Sequence, residues 1–310
     1  MDAAAYHGAL ATRAPHARTL STLTIFAGCI AIWGTTWLAI TFQLGSVPVE
    51  ASVAYRFILA AAFLFAYCYA RRLPLRFTQS EHAILALLGV LMYSIGYLFV
   101  YRAEMHVASG LVAIGYSASP LLAMFGMRIA FGQAMTARMG VGAVLGIVGV
   151  ALVYWPELEH AKHRGNVLLG AAFTAGAVFV TTLGNLVAHR NHERKLHGWA
   201  TMAWSMGYGA LASLIAAVAL GEPLAFDWSP AYLLSLLYLV VFGSILAFAG
   251  FLELLGRIGP TRASYVGVMV PIVALFISSL FEGFNWQALT FAGVAVSVAG
   301  NVLVLRRAPT

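Results

Sequence analysis

Ten apolar runs, each about as long as a bilayer is thick, alternate with short polar stretches along this chain. A helix needs about 20 apolar residues to cross the hydrocarbon. The runs at 20–43, 49–70, 82–101, 107–128, 136–155, 166–188, 198–220, 230–252, 260–281 and 287–305 fit that length. The pattern predicts an all-α membrane protein with ten transmembrane helices. The first run is too long for the apolar core of a cleavable signal, so it reads as a retained span. Residues 1–19 are polar and rich in small side chains, which predicts a mobile cytoplasmic arm.

The same apolar pattern occurs twice. Residues 116–153 lie on residues 267–304 without a gap, at a constant offset of 151. Pro120 falls on Pro271, Gly132 on Gly283, Gly142 on Gly293 and Gly149 on Gly300. A prolyl residue and several glycines in register indicate a duplicated unit, a common build among secondary transporters. A five-helix unit starts on one side of the membrane and ends on the other. Its copy must therefore enter upside down, giving two inverted repeats around a central cavity. The expected divisions are 1–19, a first repeat over 20–156, an extracytoplasmic connector over 157–165 and a second repeat over 166–306. The glycines of spans five and ten would let helices pack closely and pair protomers.

Composition supports the membrane reading: 61% of residues are hydrophobic and 9% are charged, against about 25% charged in a soluble domain. The excess of 18 Lys and Arg over 11 Asp and Glu is no nucleic-acid signature, because the charges are segregated. With the N-terminus inside, the cytoplasmic stretches hold Arg71, Arg72, Arg76, Arg128, Arg138, Arg190, Arg194, Lys195, Arg257 and Arg262. The opposite side holds Arg102, Lys162 and Arg164, with Glu50, Glu104, Glu157, Glu159, Glu222, Asp227 and Glu282. This bias puts both termini in the cytoplasm. Cys29 and Cys68 both fall inside spans and read as small apolar packers, with no metal-ligand spacing.

Several pieces resemble the drug/metabolite transporter superfamily, and most closely its ten-helix members with two EamA-type domains. They are YSASPLLAMFGMRIAFGQ with GVGAVLGIVGVALVYW, and VMVPIVALFISSLFEG with FAGVAVSVAGNVLVL. AYRFILAA at 54–61 and AIWGTTWLAI in the first span are also similar to family pieces. The resemblance runs over about residues 24–306. Its usual Gly-Glu after the fourth helix is Gly132-Gln133 here, and in the second copy the acid comes first, as Glu282-Gly283. Within the superfamily the chain looks most like the YddG-type exporters of aromatic and other neutral amino acids. The resemblance implies a multi-pass inner-membrane exporter that works by alternating access, with no cofactor.

Physical chemistry adds candidates of its own. A proline inside a helix frees the carbonyl four residues earlier, here those of Tyr116 and Gly267, and in lipid a freed carbonyl needs a partner. Pro120 and Pro271 are therefore expected as facing kinks that line a polar cavity. Helical spacing adds Trp33, Thr36 and Trp37 on the first span, Tyr93 and Tyr97 on the third, and Tyr116 and Ser119 on the fourth. Thr181 and Asn185 follow on the sixth, Tyr238 and Phe242 on the eighth, and Tyr265 and Met269 on the ninth. Apolar walls with a few fixed polar groups suit a small uncharged or zwitterionic solute. Tyr101, Trp155 and Trp286 lie near span ends and read as interfacial aromatics.

Arg56, two turns into the second span, is the buried-charge candidate. It could hold a substrate carboxylate, pair with carbonyls or snorkel outward. Span interiors hold no Asp or Glu at mid-depth, which favours exchange down the substrate's own gradient over proton drive. The two lysines follow no Gly-rich phosphate loop, so ATP drive is excluded. His189, His192 and His197 with Glu193 read as a solvated basic loop, lacking the spacing of a metalloprotease helix. The expected partners are a small-molecule substrate and the lipid bilayer, with no nucleic acid and a monomer as the working unit. An exporter of nucleosides or cationic amphiphiles is the alternative, and an intramembrane enzyme a weaker one. Exchange of sugar phosphates would need paired cations that the spans lack.

Overall fold

The computed structural model describes residues 20–132, 134–160, 164–193 and 198–305. The 1–19 arm, residues 161–163 of the connector and the His192, Glu193 and His197 side chains lie outside the described residues. All ten expected spans are helical. They are α1 Thr22–Thr41, α2 Val49–Ala70, α3 Gln79–Glu104, α4 Ser109–Phe131 and α5 Ala137–His160, then α6 Arg164–Glu193 and α7 Trp199–Ala219. The last three are α8 Pro230–Gly259, α9 Tyr265–Phe281 and α10 Ala288–Leu305. Nine of these, among the described residues, are long and apolar enough to cross a membrane, and α9 is a shorter apolar helix.

Local sequence sets the ends. Ser21 Oγ accepts the Thr24 N–H at 3.1 Å and opens α1. Thr78 and Glu81 form a reciprocal cap that starts α3 three residues before the expected 82. Pro230 occupies the first turn of α8, where its missing N–H costs nothing. Gly132 and Gly283, one repeat apart, both take the left-handed conformation (φ 66° and 71°) that follows a helix end. Gly259 (φ 78°) ends α8.

The glycine-rich helices α5 and α10 pack on each other within the chain. A Cβ on Gly142 would lie 2.6 Å from the Gly300 carbonyl oxygen, and one on Gly293 would lie 2.7 Å from that of Gly149. The sequence repeat is thus a physical contact: each copy's last helix seats its glycines on the other's. The expected close packing through these residues is an intramolecular seam between the two repeats.

Two features differ from expectation. First, α4 breaks before its proline: Tyr116–Ala118 form a 3-10 turn, and a new helical run starts at Ser119 with Pro120 in its first turn. The Ser119 N–H is bonded to the Tyr116 carbonyl, so that carbonyl is not freed. In α9 the interruption sits at Ser264, and Pro271 stays inside a helix running from Tyr265 to Phe281. The two prolines therefore do not make matching kinks. Second, α3 and α8 each contain a π-helical segment, Gly89–Ile95 and Leu239–Leu246, which the sequence reading missed. They are related by an offset of 150, with Ser94 on Ser244 and Ile95 on Ile245. Such wide turns are frequent at functional sites.

For orientation, the side holding Glu50, Glu104, Glu222, Asp227 and Glu282 is called the acidic face. The side holding Arg71, Arg76, Arg128, Arg138 and Arg262 is the basic face.

The seam predicts an asymmetric response to one substitution. Gly149→Ala forces a methyl into backbone of α10 and should cost about 1–3 kcal/mol, the usual range for overpacking. Gly140→Ala meets open space and should be neutral or slightly stabilising. Thermal unfolding in detergent checks both, and equal melting temperatures for the two variants would contradict the seam.

Candidate functional site

Between the repeats, α1, α2, α3, α4 and α6 bring aromatic and polar side chains to one place. The Trp37 ring meets the Tyr116 ring edge-on at 5.2 Å. The Tyr116 hydroxyl lies 3.2 Å from Thr181 Oγ1. Phe57 packs on both Tyr93 and Tyr97, at centroid distances of 5.2 and 4.9 Å. Arg56, 2% exposed, lies with its guanidinium carbon 4.5 Å from the Tyr97 ring centroid. Its Nε donates to Ser244 Oγ at 3.1 Å, and Nη2 reaches the Tyr97 hydroxyl at 3.5 Å. Nη1 has no hydrogen-bond partner in the protein. Arg56 therefore does not snorkel. It stays in the core, where a cation over an aromatic face is worth about 2 kcal/mol when desolvated.

The structure gathers Trp37, Tyr93, Tyr97, Tyr116 and Thr181, which helical spacing offers together, and adds Arg56, which the sequence presents apart from them as a buried charge. Ser119 stands beside Pro120 below them with a buried, unpartnered hydroxyl. Trp33 is tied to α8 through a 3.2 Å bond from Nε1 to the Gly243 carbonyl and packs on Phe248 and Phe251. Thr36 spends its hydroxyl on the Trp33 carbonyl and presses its methyl to Gly243. Other candidates lie elsewhere. Tyr238 and Phe242 stack on each other at 5.1 Å, and Tyr238 bonds Thr35. Phe242 and Met269 are about two-fifths exposed, Asn185 is exposed, and Tyr265 is half-buried at the start of α9. Tyr101, expected at an interface, is completely buried.

Sequence reasoning also missed Ser244, Phe57 and the closure of the acidic face. There the upper halves of α4 and α9 touch: a Cβ on Gly110 would lie 2.8 Å from Leu275 Cα and from Ser278 Cβ. Glu282, at the end of α9, accepts the Ser109 N–H at 3.1 Å and the Ser109 hydroxyl. A carboxylate at the N-terminus of α4 also suits that helix's dipole. Arg102 pairs with Glu50, joining α2 to α3. Ser46 donates to Asp227 at 2.6 Å, which with the Ser229 N–H holds the Asp227 carboxyl below its ordinary range. Toward the basic face α4 and α9 part: Ser119–Phe131 packs on α5, α6 and α10, while α9 packs on α1.

A separate apolar crevice of about 400 Å³ lies between α4, α5 and α6, lined by Leu121, Phe125, Val150, Tyr154 and Thr174. Its few polar groups are already used, since Tyr154 donates to the Leu111 carbonyl and Thr174 to that of Gly170. It offers no described polar group left free to orient a polar solute.

The EamA-like transporter family model matches residues 20–155 and again 167–306. The chain belongs to the EamA-like transporter family. This EamA-like transporter is 26% identical over 284 residues to the uncharacterized inner membrane transporter YedA of Escherichia coli, covering 88% of this chain and 87% of that protein. It is 22% identical to the uncharacterized transporter YoaV of Bacillus subtilis, with 80% and 84% covered. It is 21% identical to protein PagO of Salmonella typhimurium, with 88% and 89% covered. A crystal structure of another protein superposes with a TM-score of 0.66 at 17% identity, covering 90% of this chain and 94% of that one, and shows the shared fold. The family is one of transporters, and the matched relatives YedA and YoaV carry transporter names.

The ring beneath Arg56 should be energetically coupled to it. Arg56→Met, Tyr97→Leu and the double variant, unfolded in detergent, should give a coupling of about 1–2 kcal/mol. A coupling near zero would mean that the contact contributes nothing.

Proposed function

We propose that this EamA-like transporter carries neutral amino acids with apolar or aromatic side chains across the inner membrane, by alternating access and without ATP. The observation that carries this reading is Arg56: a fully buried guanidinium with an unpartnered Nη1, set against an aromatic wall. A guanidinium recognises a carboxylate through parallel N–H bonds. The free Nη1 supplies such a donor for the solute's α-carboxylate, and Trp37 and Tyr116 offer it an aromatic surface. Ser119 Oγ is a free polar group for its amino end.

Charge supports the choice of substrate class. Arg56 is the only Lys or Arg among the buried described residues. One cation suits one carboxylate, whereas a phosphorylated sugar would call for two or more. The positive-inside bias assigns the basic face to the cytoplasm. The described state is then closed outside, by the Ser109–Glu282 and Gly110–Leu275 contacts, and parted toward the cytoplasm. Inversion of the repeats supplies the second state, with closure exchanged between faces. The inner-membrane location agrees with that stated for YedA. One chain forms the transporting unit, since the Arg56 cluster is complete within it, and export is the direction implied by resemblance to the YddG-type carriers.

Counterflow in liposomes tests the substrate class. Vesicles loaded with unlabelled phenylalanine should transiently accumulate labelled phenylalanine, tryptophan, methionine or threonine, and not aspartate. Arg56→Met should keep its fold, because Ser244 retains its bond to the Leu239 carbonyl, and should lose about tenfold or more of this exchange, about 1.4 kcal/mol. Absence of uptake for every amino acid would remove the proposed substrate class.

A further inference from the structure

Glu104, the last residue of α3, is 8% exposed, and neither carboxylate oxygen has a hydrogen-bond partner in the protein. Its position is unusual among the acids of this face. Glu50 has Arg102, Glu282 has Ser109, and Asp227 has Ser46 and Ser229. Glu104 lies in the seal itself, with Ser109 five residues on. The charged groups within its electrostatic reach are Glu282 from α9 and Arg56 from α2. Tyr101 of its own helix and Tyr116 of α4 share that field.

The other neighbours do not neutralise it. On α2, Glu50 is committed to Arg102, and Tyr55 donates to the Ala225 carbonyl. The half of α1 toward this face carries no titratable residue. His106, just beyond Glu104, stacks on Phe173 of α6 at 5.9 Å. The described side chains of α6 on this side are otherwise non-titratable up to Thr182. Arg56 gives Nε and Nη2 to Ser244 and Tyr97, and its attraction for Glu104 is opposed by burial and by the Glu282 carboxylate.

An ionised carboxylate sealed here would be a buried charge beside a second carboxylate, which costs several kcal/mol without compensation. Opening the acidic face would return it to water. We infer that Glu104 is the proton site that couples this transporter to the proton gradient. The inference rests on the carrier reading, and it replaces the gradient-only exchange expected from the lack of a mid-span acid. A proton from water outside forms an O–H bond with Glu104, and the face then closes. In the closed state that O–H bond breaks as water on the cytoplasmic side, past Tyr116, takes the proton; the higher pH and negative potential of the cytoplasm draw it inward and offset the cost of the buried charge. The charge left in the seal forces the outer face open again. One proton thus moves inward for each outward opening, which would drive export of solute held at Arg56.

The test needs no substrate, so its failure and that of the amino-acid assignment are separable. In a background with Cys29→Ala and Cys68→Ala, Ser278→Cys reports opening, because Ser278 is buried against Gly110. Labelling by a membrane-impermeant methanethiosulfonate is followed in intact cells at about pH 5.5 and about pH 8.5. It is normalised to Trp228→Cys, which is 77% exposed on the same face. The normalised rate should rise about tenfold with pH, equivalent to about 1.4 kcal/mol. Glu104→Gln should label slowly at both pH values. Glu104→Asp, which keeps a carboxyl, should respond with a displaced midpoint, and this carries the test if the Gln variant fails to reach the membrane. A pH-independent rate in the parent, a response that survives Glu104→Gln, or an Asp midpoint identical to the parent's would overturn the proposal.

Discussion

A guanidinium held among apolar helices is the constraint around which this site is built. Arg56 is buried, so the chain surrounds it with the ring and hydroxyl of Tyr97 from α3 and the hydroxyl of Ser244 from α8. The two residues fix α2 against both α3 and α8. The serine is the less obvious part. Ser244 lies in the π-helical segment of α8, where it also donates to the Leu239 carbonyl five residues earlier. The wide turn thus presents one hydroxyl to both a backbone acceptor and a buried cation. In hydrocarbon such irregular backbone persists only where the protein supplies partners.

The second organising element is the seam between α5 and α10. Backbone-to-backbone contact at Gly142, Gly149, Gly293 and Gly300 joins the end of one repeat to the end of the other. The α4 and α9 helices have no such seam along their whole length. They touch through Gly110, Leu275 and Ser278 on the acidic side and separate beyond the 3-10 turn at Tyr116. A close contact at the rear and a contact confined to one face at the front is the geometry that the proposed alternating access requires. The Glu282 cap on α4 strengthens the closed face at its edge. The first repeat has Phe131 at the corresponding position, so it holds no carboxylate there that could make the matching cap.

Much of the fold was legible because membrane helices announce themselves by length, and because the 151-residue offset kept its proline and glycines. The helix count and the two repeats follow from that pattern; Trp37, Tyr97 and Tyr116 come from helical spacing, while the place of Arg56 beside them was not legible. What was lost has physical causes. A wheel of 100° per residue fails across a π-helical segment, so the stripe of Tyr238 and Phe242 pairs with Thr35 rather than turning to Arg56. The offset of 150 that relates Ser94 to Ser244 was hidden by a one-residue difference from the offset used further along. Tyr101 and Glu104 read as span-end residues by their place in the sequence, but both are buried in the folded bundle. Depth in the chain's hydrophobic run is not depth in the folded bundle.

The central claim is that solute is held between Arg56 and the Trp37–Tyr116 wall. An experimental structure of the purified protein with bound phenylalanine tests it most directly. The account predicts the carboxylate on the Arg56 guanidinium and the phenyl ring against Trp37 and Tyr116. Phenylalanine seated instead in the apolar crevice between α4, α5 and α6, with Arg56 untouched, would contradict it.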